Sequence, residues 1–265
     1  MMNQDPSIRA MNGVVLDKLK ILAARAIASD AVGALLRCTI ARHECGYRGK
    51  RISIGTTRCL PHRVVSALWF GLYESAECRM VQRHMLPDRP VVELGAGIGA
   101  LSAHVAGALS SGQHLTSVEG NSALVTLLRQ NLDRHGRHLS VTVLNNVIGN
   151  GNGVDFSIAP DHRFSRVQSS IASTHTAVKS TRLSAIVAKR PFADGYQLVA
   201  DIEGAEAAVL LEDHAAWPNC ERAIMELHES EHLGEVLTVD RLVALVESRG
   251  LKLVARDGNV FAFSR

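Results

Sequence analysis

One glycine run and two clusters of acid–base side chains are the residues whose types and spacing can do chemistry. The glycine run is Val91-Val92-Glu93-Leu94-Gly95-Ala96-Gly97-Ile98-Gly99. Apolar residues feeding closely spaced glycines predict a strand, a tight turn and a helix opened by that turn. Glycine allows positive φ and lets a ligand come close to the backbone. Glu119 closes the next apolar stretch, at about the distance expected for a carboxylate that grips a ribose. Gly95, Ala96, Gly97, Gly99 and Glu119 therefore predict a site for a nucleoside-containing cofactor. The acid–base clusters are Asp201-Ile202-Glu203-Gly204-Ala205-Glu206 and Glu226-Leu227-His228-Glu229, each closing an apolar stretch. A hydroxyl is a weak nucleophile at neutral pH, and a group transfer to it needs a nearby base. His228, Asp201, Glu203 and Glu226 are the candidates. Glu206 has a second explanation, since an acid in the first turn of a helix is favoured by the macrodipole. The same carboxylates with His228 offer ligands to a divalent cation, although nothing in the spacing requires one.

Strands alternating with helices must position these groups. From Pro90 onward the pattern predicts strands at 90–94, 114–119, 139–145, 197–202 and 223–227. Helices are predicted at 98–109, 122–135, 204–213 and 237–248, the last closed by Gly250 as the residue after the cap. Asp257-Gly258-Asn259 predicts a hairpin between 251–255 and 260–263. Alternating βα units argue for an α/β fold with a Rossmann-like, mostly parallel sheet, and the closing hairpin adds an antiparallel last strand. Class I methyltransferases end their sheet in that way. The segment 159–182, rich in Ser, Thr, His and Arg, lacks periodicity and is expected to be a surface lid or acceptor-binding segment.

Two cofactors fit the glycine run, because Gly95, Gly97 and Ala100 also satisfy the dinucleotide form G-x-G-x-x-A. S-adenosylmethionine is favoured over NAD on three grounds. Glu93 lies in the strand two residues before the first glycine, where methyltransferases commonly place an acid near the methionine ammonium. The spacing to Gly99 gives G-x-G-x-G. The run also comes late, behind a helical extension. After the third strand, the side chain of Asn146 or its neighbour Asn145 is placed to hydrogen-bond an adenine amine, and turn chemistry accounts for these residues equally well.

Other readings are weaker. His228-Glu229-Ser230-Glu231-His232 matches the zinc-protease pattern H-E-x-x-H, which needs both histidines on one helical face. Here it follows a strand and lies in a polar turn with no third ligand placed. No Asp/Asn-Pro-Pro-aromatic motif occurs, which disfavours amino methylation of a nucleobase, and no Pro-Cys dipeptide, which disfavours cysteine-driven pyrimidine methylation. An NAD-dependent oxidoreductase and a cofactor-binding scaffold without catalysis are the remaining alternatives.

Composition sets the outer limits. With 46% hydrophobic and 21% charged residues in 265, a sizeable core can form. A formal net charge of +3 is too small to demand nucleic acid as a partner. Five cysteines, an odd number without C-x-x-C, argue against a disulfide framework or a structural zinc site. The first ten residues lack a secretory apolar region, and no uncharged run reaches transmembrane length. The expectation is a cytoplasmic protein. Residues 14–27 show helical spacing of Val14, Leu16, Leu19, Leu22, Ala23 and Ile27. That helix is expected to pack on the main domain or on a second subunit as a homodimer, with a peripheral membrane contact as the alternative. Cys45–Thr57 suits a hairpin or loop, and Val64–Met85 a long amphipathic helix.

From about Trp69 to its end the sequence resembles the FkbM-type family of S-adenosylmethionine-dependent methyltransferases. The resemblance is carried by Gly71-Leu72-Tyr73-Glu74-Ser75-Ala76-Glu77, the Glu93–Gly99 run, Val118-Glu119-Gly120-Asn121, Leu198–Glu206 and Met225-Glu226-Leu227-His228. Residues 1–60 are expected from their helical spacing to form a helical extension, ahead of a class I methyltransferase domain at 61–265. The resemblance implies O-methylation, often of a sugar hydroxyl in a glycolipid, polysaccharide or secondary metabolite. Glu93, Gly95, Gly97, Gly99 and Glu119 would bind cofactor, with Tyr73 counted among them, and Asp201, Glu203 and Glu206 would line the acceptor side. Two positions depart from the family pattern: Leu183-Ser184 stands where members often carry Leu-Asp, and Gly120 replaces a proline.

Overall fold

The computed structural model describes residues 27–56, 60–149, 154–158, 166–167 and 174–265. The predicted helix at 14–27 falls almost wholly outside them. The chain divides into two compact units, Met1–Tyr73 and Glu74–Arg265.

In the first unit, helix α1 (Asp30–Thr39) starts at Ser29, whose hydroxyl accepts the Val32 amide. Strands β1 (Glu44–Tyr47) and β2 (Lys50–Ser53) form the predicted hairpin, and its turn residues Arg48 and Gly49 both have positive φ. Helix α2 (His62–Trp69) crosses α1 so closely at Gly33 that a Cβ there would lie 1.7 Å from the His62 carbonyl oxygen. The long helix predicted over Val64–Met85 is two helices. The chain leaves α2 through Gly71 (φ 67) and enters α3 (Ser75–His84), the first element of the second unit, through Glu74 (φ 42). Left-handed backbone breaks the helical hydrogen-bond ladder while the apolar spacing runs on across the break, so periodicity did not reveal it.

The second unit continues with β3 (Val91–Leu94), α4 (Ala100–Ala108), β4 (His114–Val118), α5 (Ser122–His135) and β5 (Ser140–Leu144). Short strands β6 (Asn146–Ile148), β7 (Val154–Ile158), β8 (Arg166–Val167) and β9 (Thr174–Thr181) then form a separate sheet in the order β6-β9-β7-β8. Most of the segment 159–182 was expected to lack regular structure, yet β8 and β9 lie in it. Its remaining residues, 159–165 and 168–173, are outside the described set. Next come α6 (Leu183–Val187), β10 (Tyr196–Ala200), α7 (Glu206–Glu212) and β11 (Cys220–Glu226). A small hairpin, β12 (Ser230–His232) with β13 (Glu235–Leu237), precedes α8 (Val239–Ser248), β14 (Lys252–Asp257) and β15 (Val260–Ser264).

The main sheet has seven strands in the order β14-β15-β11-β10-β3-β4-β5, and β15 runs antiparallel to both its neighbours. Counting only these strands in chain order, the sheet reads 3-2-1-4-5-7-6 from β5 to β14. Order reverses between β3 and β10, the switch point at which open α/β sheets leave a crevice beyond their carboxyl ends. The core is sealed by Trp217, Tyr196, Phe261 and Phe263. The polar tips of the first two are satisfied: Trp217 Nε1 donates to the Val209 carbonyl and the Tyr196 hydroxyl to that of Ala216. No helix among the described residues is long and apolar enough to cross a membrane.

Candidate functional site

Gly95, Gly97 and Gly99 take φ values of 79°, 55° and 84°, in the left-handed region that glycine alone enters without strain. The Gly95 and Ala96 amides both donate to the Val118 carbonyl, which ties the turn after β3 to the end of β4. A Cβ on Gly95 would lie 1.8 Å from the Asp201 carbonyl oxygen. Asp201 is the first residue past β10, and its own amide donates to the Leu94 carbonyl. The glycine turn and the first acid cluster are therefore built against each other, backbone on backbone.

Glu119 follows β4 directly. Its Oε2 accepts the Gly97 amide at 2.7 Å and its Oε1 the Asn121 amide at 2.6 Å. Burial raises its pKa, with those two amides opposing. A carboxylate has about four lone-pair sites, so each oxygen keeps one for a hydroxyl. Glu93 is sealed within β3 at 1% exposure. Its Oε2 accepts the hydroxyls of Ser102 and Ser117, and its Oε1 is buried without a hydrogen-bond partner. Burial pushes its pKa up to about 7 against the two serine bonds, with the charge of Glu119 adding to the rise. Asn145 spends its amide on the carbonyls of Glu119 and Gly120, while its neighbour Asn146 opens β6. Tyr73 ends the first unit, where its carbonyl accepts the Tyr47 hydroxyl.

The second cluster assembles around His228, two residues past β11. Nδ1 lies 3.0 Å from Glu206 Oε1, which also accepts the Ile202 amide. Nε2 lies 3.7 Å from Glu203 and 3.8 Å from Glu226. Burial alone would lower the imidazole pKa. The Glu206 hydrogen bond and the charges of Glu206, Glu226 and Glu203 outweigh it and lift the value to about 8. Glu203 reaches this position through a left-handed backbone (φ 52), unusual for a residue with a side chain, followed by Gly204 at φ 100. Asp201 is pushed well above the usual carboxylate range by burial, then by Glu226, Glu203, Glu74 and Glu77. Glu77, from the first turn of α3, is raised to about 7. Burial is the main cause, and Glu226, which hydrogen-bonds it, adds to it; its own backbone amide and Arg79 oppose.

The structure brings Asp201, Glu203, Glu226 and His228 close together, with two further acids, Glu206 and Glu77, against them. Glu206, fully buried, is the partner that orients His228; its second explanation as a helix-start acid hid this role. Glu77 was legible only as part of a family motif. The zinc-protease pattern is not on a helix. His228 precedes β12, His232 ends it, and His232 Nε2 lies 2.8 Å from Glu212 instead of beside His228's ring. Outside a helix the two histidines do not sit one turn apart on a single helical face, as the motif requires.

The strand order 3-2-1-4-5-7-6, with its reversed seventh strand, decides the architecture. The fold is that of a class I methyltransferase. No family model matches the chain, and a search of curated proteins returned no match. Among solved structures, the chain is similar to a ribosomal protein L11 methylase from Lactobacillus delbrueckii subsp. bulgaricus. The two share 11% identity over 73% of this chain and 78% of that one, with a TM-score of 0.41. It is similar to Aeropyrum pernix fibrillarin with natively bound S-adenosyl-L-methionine (12% identity, 72% and 74% covered, TM-score 0.40). It is similar also to a magnesium protoporphyrin IX methyltransferase from Synechocystis PCC 6803 with bound SAH (10%, 72% and 81%, 0.42). Likenesses this distant speak for neither substrate nor site, and the fold assignment rests on the strand order itself.

Proposed function

We propose that this methyltransferase fold binds S-adenosylmethionine and methylates a hydroxyl, that of a sugar in a glycolipid, polysaccharide or secondary metabolite. The observation that carries the reading is the contact of Gly95 with the Asp201 carbonyl. It sets a nucleoside-binding turn directly against an acid–base cluster at the switch point. The resemblance of the Asp201–Glu206 run to FkbM-type enzymes supports an oxygen acceptor.

The residues fit such a cofactor. Glu119 offers both carboxylate oxygens to a ribose diol, the glycine turn offers backbone that a Cβ would block, and Asn146 stands next along the edge for an adenine. Glu93 offers its unpartnered Oε1 to an ammonium group, whose positive charge would favour the ionised carboxylate. The cofactor supplies an electrophilic methyl on a sulfonium. The chain's part is to hold the acceptor oxygen in line and remove its proton. Above its pKa of about 8 the His228 imidazole is neutral and Nε2 takes that proton, while Glu206 fixes the ring with Nδ1 as the donor to its carboxylate. Glu203 and Glu226 balance the imidazolium that results.

Calorimetric titration with S-adenosylhomocysteine, with NAD in a parallel cell, tests the cofactor. Micromolar binding of the first alone supports the reading; binding of NAD alone, or of neither, overturns it. His228→Ala tests the base: it should keep cofactor affinity and lower turnover by roughly a hundredfold or more. Unchanged turnover would remove His228 from the mechanism.

A further inference from the structure

We propose that Glu77, Asp201 and Glu226 form a site for one hard divalent cation. One carboxylate oxygen from each lies within 4.8 Å of the others. They come from three separate elements: the first turn of α3, the residue after β10 and the last residue of β11. Convergence of three carboxylates from remote parts of the chain is electrostatically unfavourable unless protons or a cation intervene.

A second observation points to a ligand. Asp201 Oδ1 has essentially no accessible surface and accepts no hydrogen bond. An anionic oxygen withdrawn from water with no donor is costly, and a metal ion is a partner that would satisfy it. The cationic groups close by are otherwise engaged. Arg79 is bound to Asp257 at 2.6 Å, and His228 is held by Glu206. Glu74 and Glu203 face Asp201 as well and deepen the negative field. A neighbouring trio, Asp201, Glu203 and His228, is also close-set, but its imidazole already has Glu206 on one nitrogen.

The donor set selects the ion. Three carboxylates without a cysteine or histidine suit Ca²⁺, Mg²⁺ or Mn²⁺ and not a soft metal. Oxygens on opposite sides of a hard divalent ion are about 4–5 Å apart, so three oxygens all within 4.8 Å of one another lie in the range such an ion spans, and its binding would displace the proton that Glu77 and Glu226 share. On the methyl-transfer reading, an ion here, beside His228 Nε2, would bind the acceptor hydroxyl and make its proton easier to remove. The ion site itself does not depend on that reading.

The test is to strip the full chain with a chelator and titrate it with MnCl₂ by electron paramagnetic resonance. CaCl₂ and MgCl₂ follow by calorimetry, each with and without S-adenosylhomocysteine. The expected result is one ion per chain, weakened at least about tenfold by Glu77→Gln, with circular dichroism and S-adenosylhomocysteine affinity unchanged. Glu226→Gln should weaken it likewise and serves should Glu77→Gln fail to fold. No saturable binding of any of the three ions up to about 1 mM, the weak end for carboxylate sites, overturns the proposal. So does an ion whose affinity falls with Glu203→Gln and not with Glu77→Gln or Glu226→Gln. Homocysteine-product binding without an ion leaves methyl transfer standing and removes the site; an ion without product binding does the reverse.

Discussion

Glu93→Gln isolates the cost of an acid that the fold seals inside its sheet. The carboxyl sits at 1% exposure with two serine hydroxyls on Oε2 and nothing on Oε1. Burial lifts its pKa from 4.5 to about 7. A raised pKa means that the folded chain holds this proton more tightly than the unfolded one. Between pH 4.5 and 7 the native state therefore binds more protons, and stability falls as pH rises through that window. The full contribution is present below the unfolded value and lost above the folded one. The shift corresponds to about 3 kcal/mol over the whole window, of which roughly 2.5 kcal/mol falls between pH 5 and pH 8. Glutamine keeps the shape and an oxygen for the two serines but does not titrate. Its amide, placed where Oε1 lacks a partner, costs about 1–3 kcal/mol at every pH. Urea unfolding of both proteins at pH 5, 6, 7 and 8 measures the difference. Wild type should lose about 2.5 kcal/mol relative to Glu93→Gln across that range. Parallel stability curves would refute the argument that this carboxyl is desolvated.

Three further perturbations follow from the same geometry. Glu119→Ala removes the acceptor of the Gly97 and Asn121 amides; S-adenosylhomocysteine affinity should fall roughly thirtyfold, about 2 kcal/mol, by calorimetry, and equal affinity would end its assignment to the ribose. Gly95→Ala forces a methyl to 1.8 Å from the Asp201 carbonyl at a φ of 79°, so cofactor binding should be lost and Tm lowered; wild-type binding would contradict the close approach. Trp217→Ala empties the seal under α7, where the ring is 1% exposed, and should cost about 3–5 kcal/mol in urea unfolding, with a loss below 1 kcal/mol counting against its place in the core.

How much was legible in the sequence depended on how local each signal is. The glycine run, the helix at Ser122–His135, the Gly250 stop and the Asp257-Gly258-Asn259 hairpin are set by neighbouring residues, and each is found where its residue types put it. The helix boundary at Gly71–Glu74 was hidden because apolar spacing continues through a left-handed break. The strands β8 and β9, which pair with the nearby β7, were hidden because no apolar periodicity marks them.

For the site, the sequence alone determined the candidate groups, because strand ends with Glu119, Asp201, Glu226 and His228 follow from where apolar stretches stop. Which of these groups meet was decided only by the tertiary structure. Glu77 and Glu226 stand far apart along the chain and hydrogen-bond each other, and Glu206, explained locally by a helix dipole, instead holds the His228 ring. The physical reason is that pKa values, orphaned oxygens and ion sites arise from the sum of charges and lost water around a point in space. The order of strands across the sheet brings those charges together, and no window along the chain contains it.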